Sequence, residues 1–330
     1  MCDGFPTPAP PLGHDRCVMT IKPTTAEGRV LVGTQSFSYD AWDGLVYPLG
    51  LARTKRIGYY ARLFPVVELD NTYYAVPNPT LLAGWAAQAP EGFLFSAKVP
   101  KAITQEAKLS GESVPYALAA FLDVMVTLGE RLGPIVFQMS PGFVYPRDFP
   151  ALEQLLPRLP ELGGEGMQFA IEFRHPSWVG AAPAEQLLRA CGVTWIWNDW
   201  EPTEKYLQPM PRGIDEPAAL PVTNERFAYV RLVGNHDAAI DQRTITIDRG
   251  ADLERWADKV MAFRRRTNGD VYVLLNNHYA GFSAEAVRRL QRILGLPVVS
   301  FETPPALEAA ESAVSGVIAA SPYCFDWCSD

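Results

Sequence analysis

Glu68, Lys98, Gln138, Glu172, Arg174, Arg231 and Asn276 share one feature: each closes, or nearly closes, a short apolar run. Asn71, Tyr73, His175, Trp178, Asp199, Asn277 and His278 follow within a few residues of such runs. Three of the four histidines, His175, His236 and His278, stand directly after apolar segments. These residue types can do chemistry together. Glu172 and Glu68 are candidate general acid/base carboxylates if burial shifts their protonation, and paired carboxylates suit glycosidic or phosphoester hydrolysis. Lys98 could act as a base or as a Schiff-base nucleophile. Arg174 and Arg231 could clamp a carboxylate or phosphate through two parallel hydrogen bonds. His175 and His278 could move protons or bind metal, and Asn71, Gln138, Asp199, Asn276 and Asn277 could orient polar groups. Tyr73 and Trp178 belong to a set of aromatics that could form a stacking wall.

The plainer alternative is an internal layer of ion pairs that only holds the fold, for example Glu68 with Arg174 or Lys98 with Glu172. An unpaired buried polar group costs about 1–3 kcal/mol, so such groups must satisfy one another, water or a ligand. No H-x-H, H-E-x-x-H or C-x-x-C spacing occurs, so no metal ligands are assigned and the cofactor is left open. Glu68, Glu172, Asp199, His175 and His278 are the pool from which separate strands would draw a metal site.

Eight apolar runs position these groups: residues 30–34, 66–69, 93–98, 135–138, 169–173, 193–198, 228–232 and 271–276. Near-continuous apolar runs are what strands covered on both faces require. Segments of helical period lie between them. Leu118, Phe121, Leu122, Met125, Leu128 and Leu132 form one apolar stripe, and Leu253, Trp256, Ala257 and Val260 another. Residues 51–63, 79–88, 149–159 and 183–191 supply further helices, and a last one begins near a possible Ser283 cap. Residues 201–224 are Pro-rich and aperiodic, hence a long loop. Eight β-then-α units in one direction predict a parallel (β/α)8 barrel of TIM type, with chemistry at the C-terminal strand ends. The rival doubly wound sheet lacks support, since no Gly-rich phosphate fingerprint is present.

The chain has 330 residues, 48% hydrophobic and 20% charged, so it can bury a large core. The barrel occupies residues 29–296, between a Pro-rich N-terminal tail (1–28) and a C-terminal extension (297–330). There is no run of ~18 uncharged apolar residues and no basic-then-apolar start, so neither a membrane span nor a secretory signal is expected. Cys2, Cys17, Cys191, Cys324 and Cys328 are odd in number and widely spaced, which argues against a disulfide framework and for a reducing cytoplasm. With 29 basic and 37 acidic residues, the net charge of −8 disfavours non-specific nucleic-acid or membrane binding without excluding it.

Several strings carry a resemblance. They are VGTQSFSYDAWDG (32–44), VVELDNTYYAVP (66–77), FLFSAKVPKAIT (93–104), LGPIVFQMSPGF (132–143), AIEFRHPSW (170–178), AYVRLVG (228–234) and VYVLLNNHYAGFSAEA (271–286). In this order they resemble the YecE-like family, domain of unknown function 72, over about residues 30–296. The resemblance implies a TIM-type barrel and a site, not a reaction. Its recurrent strand-end positions map onto Glu68, Asn71, Tyr73, Lys98, Gln138, Glu172, Arg174, His175, Trp178, Arg231, Asn276 and Asn277. Two departures stand out. Ser36-Phe37 replaces a usual Gly-Trp, and Val233-Gly234 followed by Asn235-His236 replaces a usual His-Gly.

The sequence thus points to a barrel enzyme, a hydrolase or a lyase/isomerase, acting on a small polar or anionic, sugar-like or phosphorylated substrate. A metal-dependent phosphoesterase on nucleic acid and a non-catalytic ligand-binding barrel are the alternatives.

Overall fold

The structure is a computed structural model, and it describes residues 28–201, 212–214 and 221–301. The Pro-rich tail, most of the 201–224 loop, Cys2, Cys17, Cys324 and Cys328 lie outside the described residues. Cys191 is a free thiol, half-buried at a helix end.

Nine strand segments form one parallel sheet: β1 (Val30–Gln35), β2 (Val66–Leu69), β3 (Leu94–Lys98), β4 (Leu132–Gln138), β5 (Phe169–Glu172), β6 (Val193–Trp195), β7 (Trp197–Trp200), β8 (Ala228–Gly234) and β9 (Val271–Leu275). Their spatial order is β6-β5-β4-β3-β2-β1-β9-β8-β7. Only Ile196 separates β6 from β7, and its N–H donates to Ile171 O of β5 at 2.9 Å. The sixth predicted strand therefore serves twice. Its first half pairs with β5 and its second half with β8, which brings the two ends of the sheet together. The result is an α/β barrel, as the count of eight runs required.

Two apolar clusters follow from the two-residue alternation of a strand. Leu31, Val66, Leu94, Val136, Ala170, Ile196, Tyr229, Tyr272 and Leu274 fill the barrel interior. Their alternates, among them Val32, Val67, Phe95, Phe137, Ile171, Val230 and Val273, pack outward against the helices. The helical layer matches the predicted stripes except at one end, where Leu128 lies in a 3-10 turn and Leu132 opens β4. Leu118, Phe121, Leu122 and Met125 are buried on the helix Ser113–Met125, and Leu253, Trp256, Ala257 and Val260 on the helix Gly250–Arg266. The stretch Ser113–Arg131 is long and apolar enough to cross a membrane by length and composition alone.

Ser283 is not a side-chain cap. It is the first residue of the helix Ser283–Ile293, and its hydroxyl donates to Asn277 Oδ1 at 2.7 Å. The preceding Phe282 holds the cap position without a side-chain bond. Past the last helix, Val299 and Phe301 pack back onto the core.

Candidate active site at the C-terminal mouth

The alternation that fills the barrel also builds its mouth. Two residues beyond Val66, Val136, Ala170 and Tyr229, on the same inward face, stand Glu68, Gln138, Glu172 and Arg231. Lys98 lies four beyond Leu94, and Gln35 four beyond Leu31, on the same grounds. Gln35, Glu68, Lys98, Gln138, Glu172 and Arg231 are all buried.

Arg231 sits at the centre, 1% exposed. Its Nη1 donates to Gln138 Oε1 at 3.0 Å and to Glu172 Oε2. Its Nη2 donates to Gln35 Oε1 at 3.1 Å and to Glu68 Oε1 at 2.9 Å. One guanidinium thus ties together five strands, β1, β2, β4, β5 and β8. The fork geometry of Arg makes this possible, and Lys could not reproduce it. Arg231 was a candidate anion clamp. Its Nη groups are instead committed to barrel side chains beneath the mouth.

Glu68 and Glu172 are sealed, each 0% exposed. The remaining oxygen of Glu68 accepts from Tyr229 Oη at 2.7 Å, and the Tyr229 hydroxyl also meets Ser96 Oγ at 2.8 Å. Burial alone would raise the Glu68 pKa. The charges of Arg231 and Lys98, with the Tyr229 hydrogen bond, outweigh it and hold the carboxyl below its usual range. Tyr229, buried beside that carboxylate, is pushed well above its usual range and stays a donor.

The ion-pair partners differ from those guessed from sequence. Lys98 Nζ reaches Asp70 Oδ1 and lies 3.4 Å from Glu68 Oε1, while Arg174 Nε donates to Glu172 Oε1 at 3.0 Å. Strand adjacency decides this: β3 lies beside β2, and Arg174 is two residues from Glu172 in the chain. The Lys98 Nζ also lies 5.9 Å from the centre of the Tyr73 ring, and the Arg174 guanidinium 5.6 Å from that of Trp200. Glu68, Glu172 and Asp70 balance Lys98, Arg174 and Arg231 one for one. Toward solvent, the side chains of Asp70 (32% exposed), Arg174 (13%) and Lys98 (9%) are the ionic members that open to the mouth.

Asn276 joins this group, its Nδ2 donating to Gln35 Oε1 at 3.1 Å and its Oδ1 accepting from the His278 N–H at 3.0 Å. Four predicted residues lie elsewhere or serve the scaffold. Asp199 points outward, because Ile196 inward makes Asn198 inward and Asp199 outward. It binds Arg212 Nε at 2.5 Å and accepts from Trp256 Nε1 at 2.9 Å, under the helix Gly250–Arg266. Trp178 stacks on both Phe143 and Phe173 in the helical layer, its Nε1 donating to Phe143 O at 2.7 Å. Asn277 is 1% exposed and accepts from both the N–H and the hydroxyl of Ser283. Asn71 is exposed in the turn after β2.

At the rim, His175 Nδ1 accepts from the Ser177 N–H at 3.2 Å and meets Ser177 Oγ at 2.8 Å, so the neutral ring carries its hydrogen on Nε2. His236 and His278 pack ring to ring, centroids 4.8 Å apart. His236 is solvent-accessible, yet the surrounding protein, then His278 and the cations Arg174, Arg231 and Lys98, push its pKa down to about 3. Burial also lowers His278, against an opposing pull from the Ala238 and Asn235 backbone and Asp237. Gly234 makes this rim possible. Its φ is +74°, and a Cβ there would stand 2.4 Å from His278 O.

Tyr229, Ser96, Gln35 and Asp70 were given no role from sequence, and His236 was singled out only as a histidine following an apolar run. For Tyr229 the signal was present: two residues before Arg231 on one strand means the same face. Among the described residues, no group of three or more His, Cys, Asp or Glu side chains is placed to hold a metal ion.

Residues 31–310 match the family model described as protein of unknown function DUF72. The chain belongs to the DUF72 family. Curated relatives agree. UPF0759 protein YecE of Escherichia coli K12 is 31% identical over 159 residues, 48% of this chain and 53% of that protein, so the chain spans about half the length of that relative. UPF0759 protein YunF of Bacillus subtilis is 25% identical over 266 residues, 76% of this chain and 90% of YunF. A crystal structure of a DUF72 family protein from Thermotoga maritima superposes with a TM-score of 0.66 at 26% identity, covering 81% of this chain and 99% of that one. A DUF72 family protein from Enterococcus faecalis gives 0.63 at 23% identity, over 82% and 99%. The family expected from the strand-end strings is thus the family shown, and the DUF72 barrel is the frame in which the mouth must be understood.

Proposed function

We propose that this DUF72 protein is a barrel enzyme, a hydrolase or a lyase/isomerase, that binds a small polar anionic substrate, phosphorylated or sugar-like, at the C-terminal mouth. The observation that carries this reading is the bracing of Lys98 and Arg174. Each rests on a sealed carboxylate, Glu68 or Glu172, and both carboxylates are fixed by Arg231. Such preorganised cations bind an anion without reorganising when it arrives. A phosphate or carboxylate would accept from Lys98 and Arg174, while Asp70 would take a hydrogen bond from a substrate hydroxyl. Tyr73, which is partly exposed, would flank the ligand. On this reading Glu172, chosen from sequence as the general acid/base, positions Arg174 instead of touching substrate. The widely spaced cysteines keep a cytoplasmic setting as part of the proposal.

The test is a ligand-detected NMR screen of phosphorylated and carboxylated sugars and small acids against their neutral counterparts. Anionic members should bind, and Lys98→Met and Arg174→Met should each weaken binding about tenfold or more. Equal binding of neutral and anionic members would overturn the reading.

A further inference from the structure

The amine of Lys98 stands in a setting that fits covalent as well as ionic chemistry. It faces two carboxylates of different character. Asp70 contacts Nζ directly and its side chain is 32% exposed, so it is reachable from solvent. Glu68 lies 3.4 Å from Nζ, is fully sealed, and is held by Arg231 and Tyr229. The Tyr73 ring lies within cation–π range of the same nitrogen, 5.9 Å from Nζ to its centre. A protonated imine carries the same single positive charge on nitrogen as an ammonium. The Glu68–Arg231–Glu172 lattice would therefore accept it without any change in charge balance.

We propose that Lys98 forms a Schiff base with a small carbonyl compound bearing an anionic group, a 2-oxo acid or a phosphorylated aldehyde or ketone, with Asp70 as its proton carrier. The Lys98 ammonium gives one proton to the Asp70 carboxylate. The free amine pair adds to the carbonyl carbon while the carbonyl π pair goes to oxygen, which takes a proton back from Asp70 to give a carbinolamine. A further proton passes from nitrogen through Asp70 to the hydroxyl, which leaves as water as the nitrogen pair closes the C=N bond. The nitrogen keeps its last proton, so the imine is left protonated and Asp70 ionised. The net change is an ammonium and a carbonyl giving an iminium and water, with no oxidant or reductant. Glu68 stays ionised throughout, as its partners require. The anionic group of the substrate would lie toward Arg174. Only this last element rests on the anion-binding function proposed above.

The test is borohydride trapping on the full chain with two probes, pyruvate and its uncharged counterpart acetone, followed by peptide mass mapping. A single reduced adduct on Lys98 is expected, absent from Lys98→Arg. It should form more slowly, by about tenfold or more, in Asp70→Asn, since proton transfer by a placed group is worth at least that much. No adduct, or adducts only on exposed lysines such as Lys55 and Lys101, would overturn the proposal. Because mapping reads the unaltered chain, poor folding of a variant does not blunt it. Equal trapping of both probes at Lys98 would keep the imine and remove the anion preference. Anion binding by NMR without trapping would do the reverse.

Discussion

Arg231 Nη2 and Glu68 Oε1 meet at 2.9 Å across the barrel, joining β8 to β2, strands that are not neighbours in the sheet. This contact and its mate to Glu172 make the mouth floor a single electrostatic unit. A buried ion pair adds little net stability over an apolar substitute. Breaking one is costly, because it strands the partner charges.

Arg231→Met should therefore destabilise the fold strongly, by about 3–5 kcal/mol, because it removes a sealed cation from both buried carboxylates and leaves Glu68 only Lys98 and Tyr229, and Glu172 only Arg174. Urea unfolding followed by fluorescence measures this. A loss below about 1 kcal/mol would mean that the floor does not act as a unit.

Tyr229→Phe keeps the ring and removes one donor from Glu68. A stability loss of about 1–3 kcal/mol is expected, together with a rise in the Glu68 pKa. Carboxyl-labelled carbon NMR reads the second effect directly. A fall in that pKa would contradict the assigned direction of the hydrogen bond.

Stability should fall on acidification in two windows. His236 has a folded pKa of about 3, below the unfolded value of ~6.5, so the unfolded state binds more protons between them and stability declines as pH drops through that range. His278, also lowered, adds to this decline. Glu68 is lowered from its ordinary range, so its contribution is present above ~4.3 and is lost below that as pH falls through the depressed folded value. Thermal melts from pH 7 to 3 should show both, and His236→Asn should shrink the upper decline to the share that His278 contributes. An unchanged upper window in that variant would remove His236 as its source.

Asp199→Asn should weaken the Arg212 clamp beneath the helix Gly250–Arg266 and lower the melting temperature. Binding of anionic ligands at the mouth should persist, because the carboxylate lies on the outer face. Loss of binding with the fold intact would return Asp199 to the mouth.

Gly234→Ala should displace the backbone at His278, since its Cβ would overlap His278 O. The expected sign is a shift of the His236 and His278 imidazole NMR resonances, which a surface glycine would not produce.

The eight strand runs and most helical stripes were legible because burial on both faces of a parallel strand, and on one face of a helix, writes itself into residue order. Ile196, by contrast, looks like any apolar residue in its run. Yet it marks where one strand changes neighbours to bring the sheet ends together, and only the curvature of the whole sheet sets that point.

In the same way, sequence determined that Glu68, Lys98, Glu172, Arg174 and Arg231 end up at one end of the barrel, because strand direction and the two-residue alternation are local properties. Tertiary structure alone decided that Lys98 pairs with Asp70 and Glu68, Arg174 with Glu172, and Asp199 with Arg212. Coulomb energy depends on separation across strands, and separations between residues as distant as Glu68 and Arg231 exist only once the barrel is formed.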